Sequence, residues 1–150
     1  MKNYLINNNC LYSEAKSELK NTENAFIIKM TSMRARCLSY IIEHAHDGVI
    51  EKQQLTAALW GSRGQYVSDA NLTQILYLIR RDLKTMGVND FFITIPRLGI
   101  KVNDSIPVDV IVEEKLPIAR LPFWKRLSFT VALICISAVV SVLDIAHFFN

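Results

Sequence analysis

The sequence predicts an α+β fold followed by a single transmembrane helix. Short β-prone groups come first, then three segments with the apolar spacing of amphipathic helices, and then a hairpin pattern. All 17 Lys and Arg residues lie at or before Arg126, and no charged residue lies between Arg126 and Asp144. These observations divide the chain into a domain at residues 1–102, a linker at residues 103–122 and an apolar segment at residues 123–149.

The N-terminal residues predict a small antiparallel sheet. Three apolar or β-prone groups, YLI, CLY and AFII, alternate with turn residues such as Asn7, Asn8 and Asn9. Short strands joined by tight turns produce this alternation, so we expect the sheet to precede the first helix.

Two amphipathic helices are predicted next. The first begins with Thr31 or Ser32 as its N-cap, and Gly48 is placed to stop it. The second covers residues 51–60 and stops at Gly61, after which GSRGQYV has the composition of a loop.

A third helix is predicted over residues 68–84, with Ser68 as its N-cap, and it has two distinct faces. The apolar face is expected to pack in the core and consists of Leu72, Leu76, Ile79 and Leu83, with Ile75 at its edge. The opposite face consists of Ala70, Asn71, Gln74, Tyr77, Leu78 and Arg81.

A β-hairpin follows the third helix. Residues 91–95 and 100–102 are strand-like, and the turn PRLG joins them. A helix, a loop, a second helix and a hairpin, in that order, are the layout of a winged helix-turn-helix. Most of the four prolines fall within residues 103–122, which predicts a linker that is extended in part.

Composition bears on the class of protein. The net charge of +3 permits contact with nucleic acid or anionic lipid without requiring it. Cys10, Cys37 and Cys135 lie far apart without CxxC spacing, so we expect them to be reduced and structural. The N-terminus has no apolar run long enough for a signal peptide, so the domain is expected to stay in the cytoplasm.

Metal and catalytic sites are not expected. His44 and His46 are two residues apart, and side chains at that spacing on a helix point in different directions. We interpret them as closing the first helix, where partial positive charge is favourable. The sequence offers no nucleophile and base pair, phosphate loop or carboxylate pair, so it predicts no enzyme, no metal and no cofactor.

Three segments resemble a known family. They are GVIEKQQLTAALWG, VSDANLTQILYLIRRDL and FFITIPRLGIKV, which are similar to the C-terminal effector domain of OmpR-type regulators. The resemblance covers about residues 4–102. The residues on pattern positions are Trp60, Leu72, Leu76, Ile79, Arg80, Leu83, Thr94 and Gly99. Two positions depart from the pattern, because Ile100 stands where an aromatic is usual and Leu78 where polar or basic residues are common.

The resemblance implies DNA binding through the third helix. Asn71 and Gln74 lie one turn apart on its outer face, and their amides suit the hydrogen-bonding edge of adenine in the major groove. Tyr77 can offer its ring to a thymine methyl group or its hydroxyl to a phosphate, and Leu78 can make only the methyl contact. The alternatives are that the polar pair is merely solvated, and that the apolar edge packs against a second protomer or the first helix.

Four basic residues are expected to contact phosphates or the minor groove, namely Arg80, Arg81, Arg97 and Lys101. Arg97, at the hairpin tip, is the preferred wing residue, whereas Arg80 has an alternative role as a surface or intradomain partner. In related activators the loop between the second and third helices contacts RNA polymerase. Arg63 and Tyr66 are the candidates for such a contact here, although a plain connector is the favoured interpretation.

The apolar segment predicts a membrane anchor. A spanning helix needs about 20 apolar residues, and residues 123–149 supply them with Asp144 near the far interface. Arg120, Lys125 and Arg126 flank only the N-terminal side, which places the domain in the cytoplasm. The alternative is a buried or dimerising helix of a soluble protein. Because few residues follow Asp144, we expect a minimal extracytoplasmic tail and a signal that enters through a partner protein in the membrane or through the domain itself.

An effector domain ahead of one span resembles the ToxR and CadC class of membrane-tethered transcription activators. The resemblance implies a single-pass protein of the bacterial inner membrane that binds double-stranded DNA as a homodimer and regulates transcription. The rival hypothesis is a membrane-anchored protein-interaction module whose degenerate winged helix does not bind DNA. Leu78 and the modest net charge support that rival.

Overall fold

The computed structural model of the protein describes residues 2–112. It contains three α-helices, which are α1 (Ser32–Glu43), α2 (Lys52–Trp60) and α3 (Asp69–Thr85), and a 3-10 helix at Gly61–Tyr66. The strands are β1 (Asn3–Ile6), β2 (Cys10–Ser13), β3 (Glu18–Asn21), β4 (Ile27–Lys29), β5 (Val49–Glu51), β6 (Phe92–Ile95), β7 (Gly99–Val102) and β8 (Val108–Ile111).

The predicted N-terminal sheet is present and has the order β4-β3-β2-β1-β8, with every neighbouring pair antiparallel. Asn7 and Asn8, in the first turn, have φ values of 51° and 60°, a left-handed conformation that Asn tolerates better than most residues. The register pairs Tyr4 with Tyr12, and both rings are buried and stacked with centroids 6.0 Å apart. One face of this sheet therefore covers the core.

Strand β8 corrects the predicted domain boundary. It lies within residues 103–122, the predicted linker, yet it pairs with β1 along the whole strand, from Asn3 opposite Ile111 to Ile6 opposite Val108. The Asn7 amide also donates to the Pro107 carbonyl at 2.9 Å. The domain therefore continues past residue 102, because the chain returns from the hairpin to the edge of the first sheet.

A second sheet has the order β5-β7-β6 and contains the predicted hairpin. Strand β5 was not predicted. Gly99 is required where β5 meets β7, since a Cβ atom at this position would lie 1.9 Å from the Ile50 carbonyl oxygen. We call the β6–β7 hairpin, with its turn at residues 96–98, the wing.

The helices begin close to their predicted positions. The Thr31 hydroxyl accepts a hydrogen bond from the Arg34 amide at 3.4 Å, as expected of an N-cap. Helix α1 ends at Glu43 with His44 as its C-cap, before the predicted stop at Gly48, and i→i−3 bonds follow from the Ala45 amide to the Ile42 carbonyl and from the Asp47 amide to the His44 carbonyl. The predicted loop after α2 forms the 3-10 helix.

The predicted core face of α3 is buried, with Leu72, Leu76, Ile79 and Leu83 all at 7% exposure or less. Asp82 is buried beside them and pairs with Arg34 of α1, a contact the sequence did not predict. Cys10 and Cys37 are free thiols in the core, and burial raises the pKa of each to about 12. Both thiols are therefore protonated and unreactive at neutral pH.

The described residues, 2–112, do not test the predicted membrane anchor. None of the helices within residues 2–112 has the length and apolar character needed to cross a bilayer. The predicted transmembrane segment at residues 123–149, and Cys135 with it, lies outside the described residues.

Candidate nucleic-acid interface

The outer face of α3, which the sequence predicted to be polar, is accessible to solvent. Asn71, Gln74 and Tyr77 are exposed on successive turns, and Tyr77 keeps 58% of its surface accessible. Leu78, which the sequence predicted on this outer face, is half-buried, unlike Asn71, Gln74 and Tyr77. The helical period therefore presents two amides and one aromatic ring together, free of the core.

Helix α3 is held at both ends by charged groups. Near its start, Lys52 of α2 contacts the Asp69 carboxylate with an Nζ to Oδ2 distance of 2.5 Å. Near its end, Asp82 is 2% exposed and pairs with Arg34, whose side chain is 14% exposed. Neither ion pair covers the outer face of α3, so this face stays accessible to solvent.

The wing carries Arg97 at its tip. Arg97 is exposed and has a φ of 66°, a left-handed conformation that tightens the turn, and the Leu98 amide donates to the Ile95 carbonyl at 3.2 Å. The Lys52 amide donates to the Leu98 carbonyl at 3.0 Å, which ties the turn to the start of α2. The tip is thus a fixed position for a positive charge.

Lys101 lies on the outer face of the second sheet. It is opposite Val49 and Ile93 in the register, and Ile93 is 50% exposed. Phe92 and Thr94 alternate with Ile93 and so lie on the other face of the strand, where Phe92 is buried and Thr94 is exposed. Lys101 therefore belongs to a different side of the wing from the side that contacts α3.

Arg80 is engaged within the domain. Its Nη2 donates to the Thr94 hydroxyl at 2.6 Å, and its guanidinium carbon lies 4.5 Å from the centroid of the Phe92 ring. Burial lowers the pKa of Arg80, and the charge of Asp90 acts in the opposite direction. These contacts match the intradomain alternative for Arg80, and a direct DNA contact for it stays a prediction.

Arg81 is exposed, but it also has a partner within the domain. Its Nη2 lies 3.1 Å and its Nε 3.4 Å from the Asp82 Oδ1 atom, and its side chain is 57% exposed. Asp82 therefore serves Arg34 on its inner side and Arg81 on its outer side. Arg81 retains donors that face solvent.

The 3-10 helix exposes both predicted polymerase-contact residues. Arg63 and Tyr66 are on the surface, and Tyr66 is 83% exposed. Nothing in the contacts of these residues assigns them a partner, so the predicted polymerase contact remains a prediction.

Of the three histidines, His44 and His46 lie within the described residues. His44 stacks on Tyr40 with ring centroids 4.0 Å apart, and His46 is exposed. Among residues 2–112, no group of three or more His, Cys, Asp or Glu side chains is arranged to hold a metal ion.

Comparison with solved structures identifies the architecture. The DNA-binding domain of CadC from E. coli superimposes with a TM-score of 0.58 at 18% identity, covering 69% of this chain and 92% of that one. The DNA-binding domain of the response regulator AdeR, solved in complex with an intercistronic region, gives 0.53 at 15% identity, covering 64% and 95%. The fold is an OmpR/CadC-like winged helix. This confirms the predicted fold class for the described domain.

Sequence comparison adds one relative. The uncharacterized protein YqeI of Escherichia coli (strain K12) is 28% identical over 108 residues, which cover 70% of this chain and 40% of that protein. The chain thus matches less than half of the length of this relative. No family model matches the sequence.

Proposed function

We propose that the protein is a membrane-anchored, sequence-specific DNA-binding regulator of transcription. The observation that carries the proposal is the exposed outer face of α3, with Asn71 and Gln74, beside a wing tipped by Arg97. This arrangement occurs on a fold shared with domains described as DNA-binding in CadC and AdeR. The combination favours recognition of double-stranded DNA.

Base reading is assigned to α3. An α-helix fits the major groove of B-DNA, where each base pair presents a distinct pattern of donors and acceptors. Asn71 and Gln74 each carry an amide that can donate to and accept from one adenine, and Tyr77 can pack on a thymine methyl group. The buried inner face keeps these groups in fixed relation to each other.

Backbone contacts are assigned to the exposed cations. Arg97 at the wing tip and Arg81 on the outer face of α3 are placed to neutralise phosphates, and Lys101 would reach a phosphate only from the outer side of the wing. Each neutralised phosphate releases a condensed counterion, so binding should weaken steeply with salt.

The anchor and the assembly are part of the same proposal. Residues 123–149 would hold the domain at the cytoplasmic face of a bacterial inner membrane, because the basic residues lie only on the N-terminal side of the apolar run. Binding as a homodimer and contact with RNA polymerase through Arg63 and Tyr66 are inferred by analogy with regulators of this fold.

The test uses the full-length protein in lipid nanodiscs with sheared bacterial genomic fragments as probe. We expect salt-sensitive retention of a minority of fragments, and loss of that selectivity in the Asn71→Ala, Gln74→Ala double variant. Asn89→Ala, an exposed amide after α3, is the matched control and should retain the wild-type set. Absence of salt-sensitive retention by the wild-type protein would refute the proposal.

A second candidate is a protein-interaction module. It is favoured by the exposed Tyr77 ring next to the half-buried Leu78, since aromatic side chains are common at the centre of protein interfaces. Under this hypothesis the same experiment gives no DNA retention, whereas Tyr77→Ala abolishes capture of a protein partner.

A further inference from the structure

The base-reading helix and the wing must engage one duplex together, yet they belong to different elements. Arg80 of α3 joins them through two contacts, a 2.6 Å hydrogen bond to the Thr94 hydroxyl and a position 4.5 Å from the centroid of the Phe92 ring. We call Arg80, Phe92 and Thr94 together the helix–wing contact. Phe92 and Thr94 lie 12 and 14 residues after Arg80 in the sequence. The contact therefore joins α3 to β6, two elements that the chain connects only through a turn.

Both partners of Arg80 are on the same face of β6. Phe92 is 2% exposed and is therefore fixed in the core, and Thr94 follows two residues later. The turn that carries Arg97 begins right after Ile95, where β6 ends. A side chain that contacts Phe92 and Thr94 therefore contacts the strand that leads directly into the wing tip.

The chemistry of this contact requires arginine. A planar guanidinium can lie over an aromatic ring and donate from its edge at the same time, whereas an ammonium is a point charge that cannot do both in this geometry. Arg80 is half-buried, while its neighbour Arg81 points outward to solvent. The two consecutive arginines therefore differ in their surroundings: Arg80 contacts the wing, whereas Arg81 faces solvent.

We propose that Arg80 is a positioning residue that fixes the wing relative to the base-reading face of α3, so that Arg97 meets the DNA backbone when Asn71 and Gln74 meet the bases. This role rests on the proposed DNA-binding function. It differs from a phosphate contact by Arg80 because it acts through Thr94 and Phe92. The phosphate role predicts a loss of salt dependence, whereas the positioning role predicts a loss of selectivity.

The experiment measures binding of the full-length protein in nanodiscs to two probes, its best retained genomic fragment and a fixed random-sequence duplex. The variants are Arg80→Lys, which keeps the charge, and Thr94→Val, which keeps the shape and removes the hydroxyl. We expect each to weaken binding to the retained fragment by up to roughly tenfold, because the free energy of one hydrogen bond to a charged group limits what its loss can add to the cost of ordering the wing on DNA. Binding to the random duplex, and the salt slope measured on it, should stay as in the wild type, because Arg97 can still reach a phosphate when no bases are read.

Two further variants make the test decisive. The double variant Arg80→Lys, Thr94→Val should be weaker than the wild type by less than the sum of the two single effects, because both single variants disturb the hydrogen bond between Arg80 and Thr94. Thr85→Val removes an exposed hydroxyl at the end of α3 and is the matched control, expected to bind like the wild type. Hydrogen exchange of the free protein should show faster exchange at the wing amides in both single variants and normal exchange in the core, which separates positioning from unfolding.

Two results would overturn the positioning role of Arg80. If Thr94→Val binds like the wild type while Arg80→Gln lowers the salt slope by about one unit, Arg80 contacts phosphate and the positioning role is overturned. Additive effects in the double variant would also overturn it. Wild-type protein that retains no DNA would refute the proposed function itself, a result distinct from wild-type binding with neutral variants.

Discussion

The two faces of α3 differ in almost every physical respect. The inner face is apolar, buried at 7% exposure or less, and closed by the Arg34–Asp82 pair, whereas the outer face holds amides, Tyr77 and Arg81 in solvent. Neighbouring residues such as Leu76 and Tyr77 therefore serve opposite purposes. The difference indicates that residues of the outer face can be replaced with little loss of stability, whereas residues of the inner face cannot.

The largest expected effect is on the inner face, at Asp82. Replacing Asp82 by Ala leaves Arg34 without its partner at a site where only 14% of its side chain is exposed. Removing one partner of a buried ion pair costs about 3–5 kcal/mol of unfolding free energy, which urea unfolding would measure. Arg81→Ala, which removes the exposed partner of the same carboxylate, should cost less than about 1 kcal/mol. Equal losses in the two variants would contradict the assigned burial.

A matched pair of adjacent residues sharpens the comparison. Leu76→Ala creates a cavity in the core and should lower the unfolding free energy by about 2–5 kcal/mol. Tyr77→Ala, one residue later, should change it by less than about 1 kcal/mol, since the ring is 58% exposed. Thermal or urea unfolding of both variants checks this. Similar destabilisation would mean that Tyr77 packs against the domain and is not available to a partner.

The smallest expected effect is at the wing tip. Arg97→Ala should leave the unfolding free energy unchanged and lower the dependence of log K on log salt by about one unit, because one phosphate contact is lost. Binding should weaken alike for retained and random DNA, measured by fluorescence anisotropy from low to moderate salt. Lys16→Ala, an exposed cation on the first sheet side of the domain, is the control and should leave the slope unchanged. If the dependence of log K on log salt in Arg97→Ala equals that of the wild type, Arg97 does not contact a phosphate.

The elements that local pattern determines could be predicted from the sequence. The spacing of apolar residues in α3, the N-cap Thr31 and the turn before Gly99 each depend on near neighbours in the chain, and each is present in the structure. The outer face of α3 followed from the same helical period. These predictions needed no knowledge of distant partners.

The features that were missed depend on long-range pairing. Strands β5 and β8 are three and four residues long, and each exists only because a distant strand pairs with it. Asp82 is separated from Arg34 by 48 residues, and the polar neighbours on α3 gave no sign that it would be buried. The contact of Arg80 with Thr94 likewise required the wing to fold back on the helix. Local patterns in a single sequence are not enough to predict such long-range pairs.

Selection from a random-sequence duplex library tests the central claim most directly. The claim is that the outer face of α3 reads bases, so wild-type protein in nanodiscs should enrich a defined motif, and the Asn71→Ala and Gln74→Ala variants should each lose preference at different positions of it by about 1–3 kcal/mol per base pair. Asn89→Ala should enrich the wild-type motif. Enrichment of the same motif by all of these proteins, or of no motif by the wild type, would contradict the claim.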